Sequence, residues 1–306
     1  MHTAQAQMQF QPTGVHPFMA ARSGVQIRDV SPMLGAEIVG LDIRDSASVD
    51  AHWPQLESLL RDRDVLLFRD QVLDESELER FAPRFGEFEQ SVTQRPDGTI
   101  SAPVHTITNL DANDKPSRTP HASSNYFWHS DKAFRSTGSR MVLLYGDELP
   151  PRGGDTQFAN MHLAYEALSP ADKELVAGLR AVHSFEYMRN NLMKRPLSDL
   201  ERSVVPPPHA HPLVRTDPKT GRKSLFLGMY ACEIVGMPVQ EGKALIDRLQ
   251  EHATQAQFVY THQWRKGDFL VWNNLPLLHR ALPNFEMETY RRVMIRCGIK
   301  STEVIQ

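Results

Sequence analysis

Apolar residues recur along this chain with two different periods, and the changes of period mark out its elements. Val25-Gln26-Ile27 and the stretch from Gly35 to Leu41 alternate apolar with small or polar residues, as the two arms of a hairpin do. From Val49 to Arg61 the spacing lengthens. Trp53, Leu56, Leu59 and Leu60 fall at helical intervals, and the helix runs into Val65-Leu66-Leu67-Phe68, a short apolar run that reads as a buried strand. Asp74-Glu75-Ser76-Glu77 opens a second amphipathic helix that packs Leu78, Phe81 and Phe85 and stops at Gly86. Beyond Phe127 the pattern becomes one of short strands, over 140–145, 179–185, 224–227, 258–264, 269–273 and 292–298. Two helices interrupt them. One starts at Ser169-Pro170-Ala171-Asp172, with a serine cap, proline in the first turn and an acid three residues on, and the other runs from Pro238 to His252. Many short strands with few helices predict a mainly β fold with flanking helices, a sandwich or a barrel.

Two stretches follow neither period. Residues 1–23 mix Gln, Thr, His and Met without the apolar core of a secretory signal, and read as a flexible leader. Residues 91–125 dissolve into Pro, Asp, Asn, Thr and Ser. A loop of that length in a compact domain is expected to serve as a lid over an active site. Residues 24–306 are then one elaborated domain, near the size at which single cores stop growing. The 34 Lys+Arg against 37 Asp+Glu leave a net charge of −3, so no broad positive field exists for nucleic acid or anionic lipid. No stretch approaches the ~20 apolar residues of a membrane span. Cys232 and Cys297 are the only cysteines, too few for a disulfide framework or a thiolate cluster, which fits a reducing cytoplasm. With nucleic acid and membrane set aside as partners, the expected chemistry is that of a small molecule.

His129-Ser130-Asp131 puts two potential metal ligands two positions apart, on one face of an extended segment. Chance alone supplies on the order of one His-x-Asp triplet in such a chain, so its context decides its value. His279 supplies a third candidate, at the edge of the apolar run Val271 to Leu278, where a lone histidine would ordinarily be a core residue. Two imidazoles and one carboxylate form the facial triad that suits Fe(II) and leaves positions open for other ligands. Farther on, Arg292-Val293-Met294-Ile295-Arg296 places two guanidinium groups on one face of a strand beside the apolar Val293 and Ile295. If that face is interior, each arginine needs an anion, because buried unpaired charge is strongly disfavoured. If it is not, the segment is a solvated edge strand.

These residues bring in a family. Asn125 to Asp131, Pro151-Arg152-Gly153-Gly154-Asp155-Thr156, Pro212 to Arg222, and Trp272 to His279 followed by Arg292 and Arg296 resemble the taurine dioxygenase and 2,4-dichlorophenoxyacetate dioxygenase family in wording, order and spacing. The resemblance runs from about Val25 to about Lys300. The stretch from Glu251 to Asp268 looks closest to the phenoxyacetate branch. It implies a double-stranded β-helix, the cupin-like jelly roll, and an oxygenase using Fe(II), 2-oxoglutarate as co-substrate and dioxygen. His129, Asp131 and His279 would be the iron ligands. Arg292 and Thr156 would hold the far carboxylate of 2-oxoglutarate with Trp272 packed nearby, the planar fork of arginine matching a carboxylate. Arg296 and Asn125 would contact the prime substrate, a small organic anion. An aryloxyalkanoate cleaved at its ether leads, with a sulfonate, an alkyl sulfate or another small carboxylate as alternatives. Homo-oligomerisation is expected by the same analogy.

The chain also departs from the family's pattern. Asn284 to Tyr290 is about two residues longer than the family's usual spacing, which leaves Arg291 as a rival to Arg292, although its strand parity is opposite. Asn273 stands where an aspartate is common. Ser91 and Gln94 stand where taurine-specific enzymes present a histidine and a tyrosine, which disfavours taurine. His209 and His211, beside Pro206-Pro207-Pro208, read as exposed loop histidines. The rival functions are a zinc hydrolase built on the same three ligands and a non-catalytic jelly-roll module.

Overall fold

The computed structural model describes residues 24–89, 102–118, 124–302 and 304–305. The leader expected over 1–23 lies outside these residues, as do Ser91, Gln94 and parts of the loop expected over 91–125. In chain order the elements are β1 (Gln26–Asp29), β2 (Ala36–Val39), α1 (Ser46–Arg63), β3 (Val65–Phe68), α2 (Glu75–Phe81), β4 (Val104–Thr108), β5 (Ser139–Glu148), β6 (Thr156–Asn160), α3 (Met161–Glu166), α4 (Pro170–Val176), β7 (Arg180–His183), α5 (Phe185–Tyr187), α6 (Asp199–Val204), β8 (His209–Pro212), β9 (Val214–Thr216), β10 (Lys223–Leu225), β11 (Ala231–Ile234), α7 (Val239–Ala253), β12 (Val259–His262), β13 (Phe269–Asn273), β14 (Leu277–Ala281) and β15 (Val293–Lys300).

Seven strands form one sheet in the order β1-β2-β3-β13-β5-β15-β4. All its pairs are antiparallel except β2 with β3, which α1 connects. A three-stranded sheet, β12-β6-β14, lies against it, and β11-β7-β8 and β9-β10 complete the strands. The period of two sorts the large sheet's side chains by face. Val65, Leu67, Val142, Leu144, Leu270, Trp272 and Met294 meet Phe158 and Leu277 of the small sheet. Leu66, Phe68, Leu143, Phe269, Val271, Ile295 and Cys297 point the other way, onto Leu56 and Leu60 of α1 and Leu78 and Phe81 of α2. Behind the small sheet, Ala159 and Leu278 pack on Met161 and Ala164 of α3 and Leu245, Ile246 and Leu249 of α7. The large sheet is thus covered on both faces, which explains why β3, β5 and β13 read as near-continuous apolar runs. Among the described residues no ladder closes the sheets into one barrel, and no helix is long and apolar enough to cross a membrane.

The local signals act as their chemistry requires. Asp45 caps α1 by accepting from Ser48 N, Ser169 caps α4 by accepting from Asp172 N, and Gly86 ends the turn after α2 at φ +137°. Two expectations change. Part of the supposed lid, Val104-His105-Thr106-Ile107-Thr108, is strand β4, held at the sheet edge by pairing with β15. His211 is not an exposed loop histidine: β8 pairs with β7, the ring is fully buried, and its Nε2 lies 2.9 Å from the carbonyl oxygen of Arg135. His209 is half-buried on the same strand.

Asn273 also finds its reason here. Its side-chain amide donates to Asp64 Oδ1 at 3.2 Å, and its backbone N–H donates to Asp64 O at 2.8 Å. Asp64 closes α1 in the left-handed conformation and is 2% exposed. Burial pushes its carboxyl up to about 7, against the opposing effects of Arg222 and the Asn273 amide. An aspartate at 273 would set two carboxylates against each other. Because the folded protein holds this proton above the pH at which an ordinary aspartate releases it, Asp64 favours the native state below about pH 4, and that contribution is lost as pH rises toward 7. Denaturant unfolding at successive pH values should show the wild type losing up to about 1.4 kcal/mol per pH unit relative to Asp64→Asn across this window. Parallel curves for the two proteins would refute the assignment.

Candidate metal centre and its pocket

His129 and His279 are 150 positions apart, yet their backbones exchange both hydrogen bonds, His129 N to His279 O at 3.0 Å and His279 N to His129 O at 2.8 Å. This bridge extends β14 by one antiparallel pair, so the two imidazoles project from the same face with ring centroids 4.1 Å apart. Asp131 turns in from the following residues. Asn274, fully buried, holds that turn: its Oδ1 accepts from Asp131 N at 3.0 Å, and its amide donates to Asp131 O at 3.2 Å and to Ser139 O at 2.9 Å. Asp131 Oδ1 lies 3.8 Å from His129 Nε2 and Asp131 Oδ2 lies 3.6 Å from His279 Nε2. One ligand atom from each of the three residues lies within 4.8 Å of the others, a spread that one ion can gather at ligand distances of about 2.1 Å.

The protonation states suit ligands. His129 Nδ1 sits 2.7 Å from Phe127 O and can only donate to it, so Nε2 carries the lone pair facing Asp131. Burial lowers both imidazoles from their ordinary value, His279 to about 3 with His129 adding to the effect. Burial alone would raise the Asp131 carboxyl. Arg296, with Nη2 at 2.7 Å, and the two histidines overcome that and hold it below the usual carboxylate range. Phe158 stacks at 6.3 Å and Trp272 meets His279 edge-on at 5.0 Å, so the ring is walled by apolar surface.

All eight residues singled out from the sequence line a single cavity of about 80 Å³: His129, Asp131, His279, Thr156, Trp272, Arg292, Arg296 and Asn125. Ile107, Leu144, Ala281 and Met294 supply its apolar walls. The parity of β15 decides between the two adjacent arginines. Arg291 points outward into ion pairs with Glu148 at 2.7 Å and Asp114 at 3.1 Å. Arg292 faces the cavity with no carboxylate within ion-pairing distance among the described residues. Its Nε donates to Gly154 O at 3.1 Å, and burial lowers its guanidinium to about 10. The Gly-Gly turn is needed to admit it. Gly153 has φ +75°, and a Cβ there would stand 2.0 Å from Asn284 O, while one on Gly154 would crowd the Arg292 side chain at 3.1 Å.

Three residues at the site carried no local signal. Asn274 is one. Asn109 is another: its amide donates to Met287 O at 2.7 Å and Tyr290 O at 3.0 Å while its Oδ1 accepts from Arg292 N at 2.8 Å, fastening the lengthened loop that leads into β15. Trp264 is the third, with its indole N–H donating to Thr156 Oγ1 at 2.9 Å. An indole can only donate, so the Thr156 oxygen is already an acceptor and its single proton is directed elsewhere.

A mainly β fold carrying a buried two-histidine, one-carboxylate cluster beside an unpaired arginine defines a class of non-haem metal site. The chain belongs to the Taurine catabolism dioxygenase TauD, TfdA family, which matches residues 26–297. It is 36% identical over 258 residues to the alpha-ketoglutarate-dependent 2,4-dichlorophenoxyacetate dioxygenase of Cupriavidus pinatubonensis, covering 82% of this chain and 89% of that protein. It is 32% identical to the (S)-phenoxypropionate/alpha-ketoglutarate-dioxygenase of Sphingobium herbicidovorans, over 87% and 92% of the two chains. Among solved structures, AAD-2 in complex with Mn(II) and N-oxalylglycine superposes with a TM-score of 0.78 at 31% identity, covering 92% of this chain and 99% of that one.

Because the Asn274 side chain holds Asp131 by both its backbone N–H and its carbonyl, Asn274→Ala should weaken Mn(II) binding by about 10–100-fold in equilibrium dialysis, as loss of a group supporting a ligand typically does. Asn273→Ala, one residue away but turned toward Asp64, should leave the affinity unchanged. Equal effects from the two variants would contradict this division.

Proposed function

We propose that this chain is an Fe(II)- and 2-oxoglutarate-dependent dioxygenase that hydroxylates a small organic anion, an aryloxyalkanoate by preference. The observation that carries the reading is the cavity-facing Arg292, a half-buried guanidinium with no carboxylate at ion-pairing distance among the described residues, lining the same pocket as a candidate metal-binding triad. Such a cation calls for an anionic ligand of the protein. Family membership and relatives named for 2-oxoglutarate and phenoxy acids support the choice of ligand. A relative named as a sulfate ester dioxygenase and another named as an alkylsulfatase keep sulfate esters as the alternative substrate class.

In this reading the facing sheets are a jelly roll and residues 24–306 are one catalytic domain. His129, Asp131 and His279 would hold ferrous iron. With dioxygen and 2-oxoglutarate the metal supplies oxidation of an unactivated C–H bond, releasing succinate and carbon dioxide. The protein's part is positional. Arg292 pairs with the far carboxylate of 2-oxoglutarate, and Thr156, its oxygen occupied by Trp264, gives its proton to the same carboxylate. Trp272 packs beside the co-substrate. Arg296 and Asn125 orient the prime substrate, and the apolar walls from Ile107, Leu144 and Met294 exclude water. For an aryloxyalkanoate, hydroxylation beside the ether oxygen yields a hemiacetal that collapses to a phenol and a keto acid. The two free, buried cysteines, Cys232 and Cys297, fit a reducing compartment, and family analogy extends to a homo-oligomer.

The iron-loaded protein should form succinate from 2-oxoglutarate at a rate stimulated by 2,4-dichlorophenoxyacetate, with Asp131→Ala inactive. Ester or amide hydrolysis supported by zinc without oxygen would overturn the proposal. Calorimetry of 2-oxoglutarate binding to the Mn(II) form under anaerobic conditions should show Arg292→Met weakening affinity by about 30-fold or more, as expected for loss of one partner of a buried charged pair. Thr156→Val and Trp264→Phe should each weaken it by about five- to tenfold, and Arg291→Met should have no effect. An effect of Arg291→Met equal to that of Arg292→Met would reverse the assignment of the two arginines.

A further inference from the structure

We infer that His105 is a substrate-binding residue that acts beside Arg296 to select the anionic end of the prime substrate. The inference rests on the dioxygenase reading and adds a residue that neither the sequence motifs nor the family resemblance designates.

The register of β4 against β15 places it. Val104 pairs with Cys297, His105 with Arg296, Thr106 with Ile295 and Ile107 with Met294. Directly paired residues of an antiparallel ladder share a face, with Cβ atoms about 4.5–5.5 Å apart. Each neighbouring pair identifies its own face. Val104 and Cys297 lie in the core between the large sheet and the helices, and Thr106 Oγ1 donates to Glu75 Oε1 of α2 at 3.2 Å, so these positions face the helices. Ile107 and Met294 line the cavity. His105 therefore shares the interior face with Arg296, one pair beyond Ile107 and Met294.

The ring is equipped to bind a ligand. Its Nδ1 is buried and makes no hydrogen bond. Burial first, and then Arg296, lower the imidazole from its ordinary value against a backbone hydrogen bond to Pro103 that raises it, which leaves the ring neutral with one N–H. Arg296 commits Nη2 to Asp131, and the rest of its planar fork has no other hydrogen bond among the described residues. The other nearby cation, Lys132, is spent on Glu89 at 2.6 Å. One free guanidinium edge and one neutral imidazole N–H, side by side on adjacent strands, match the two oxygens of a single carboxylate.

The test compares His105→Phe, which keeps the ring's bulk without its N–H, with His105→Gln, which keeps a donor. Succinate formation by the iron-loaded protein is measured alone and with 2,4-dichlorophenoxyacetate, (S)-2-phenoxypropionate or an alkyl sulfate. For the anion that best stimulates the wild type, His105→Phe should raise KM about tenfold with kcat within about twofold, and His105→Gln should recover most of the loss. The KM for 2-oxoglutarate and the slow turnover without substrate should not move. An unchanged KM for the anion in His105→Phe, or an equal rise in the KM for 2-oxoglutarate, would overturn the inference. So would a wild type that consumes 2-oxoglutarate but responds to none of the three anions. Failure of the wild type to consume 2-oxoglutarate at all would instead remove the dioxygenase reading beneath it.

Discussion

The pair of backbone hydrogen bonds between His129 and His279 is the constraint from which the site follows. Two imidazoles brought together from distant parts of a chain would each lose side-chain freedom and solvation, and nothing in their own attraction would compensate. A ladder pair removes the difficulty, because the β geometry sets both Cβ atoms on one face before any metal arrives. Asn274 then extends the same order by one turn. It satisfies the backbone of Asp131 on both its N–H and its carbonyl and ties that turn to Ser139 at the start of β5. The acid thereby reaches its place through the chain's own hydrogen bonding and keeps both carboxylate oxygens for the histidines and Arg296.

A second constraint works from the opposite sheet. On β15, Ile295, Cys297 and Ile299 are committed to the helix-side core, while Met294 and Arg296 face the other way. A slip of one residue would send Arg292 and Arg296 into that core and expose the apolar set, so the register is strongly specified. The two arginines then meet different fates. Arg296 has Asp131 as a partner, whereas Arg292 has only the carbonyl of Gly154. The Gly153-Gly154 turn is the backbone feature that makes room for the Arg292 side chain, since a Cβ on Gly153 would collide with Asn284 O and one on Gly154 would crowd Arg292.

Much of this was legible in the sequence, for reasons that differ by element. Strand β13 was readable because four apolar positions in a row, Phe269 to Trp272, have few alternatives. The eight residues singled out from the sequence line one cavity because the resemblance preserves order and spacing across segments that the fold brings together. What was missed depended on partners far away in the chain. Val104 to Thr108 has only modest strand character between proline-rich flanks, and it becomes a strand through its pairing with β15. His211 follows three prolines, a strong loop signal, but pairing with β7 prevails and buries it. Asn109, Asn274 and Trp264 act through side-chain hydrogen bonds to residues more than one hundred positions away, with separations of 178, 143 and 108. No local pattern encodes such links.

The distribution of rigid and marginal structure bears on how specificity is set. His279 and Thr156 sit on strands of the small sheet, which is packed on the large sheet at one face and on α3 and α7 at the other. β4 is different. It is an edge strand with one neighbour, its flanks contain the least regular sequence in the chain, and its interior face looks onto Arg296. Substitutions there alter the lining near the anion without moving the paired histidines, since β4 makes no ladder contact with the small sheet that carries them. Family members at 30–36% identity, named for phenoxy acids in some cases and for sulfate esters in others, are what such an arrangement would produce.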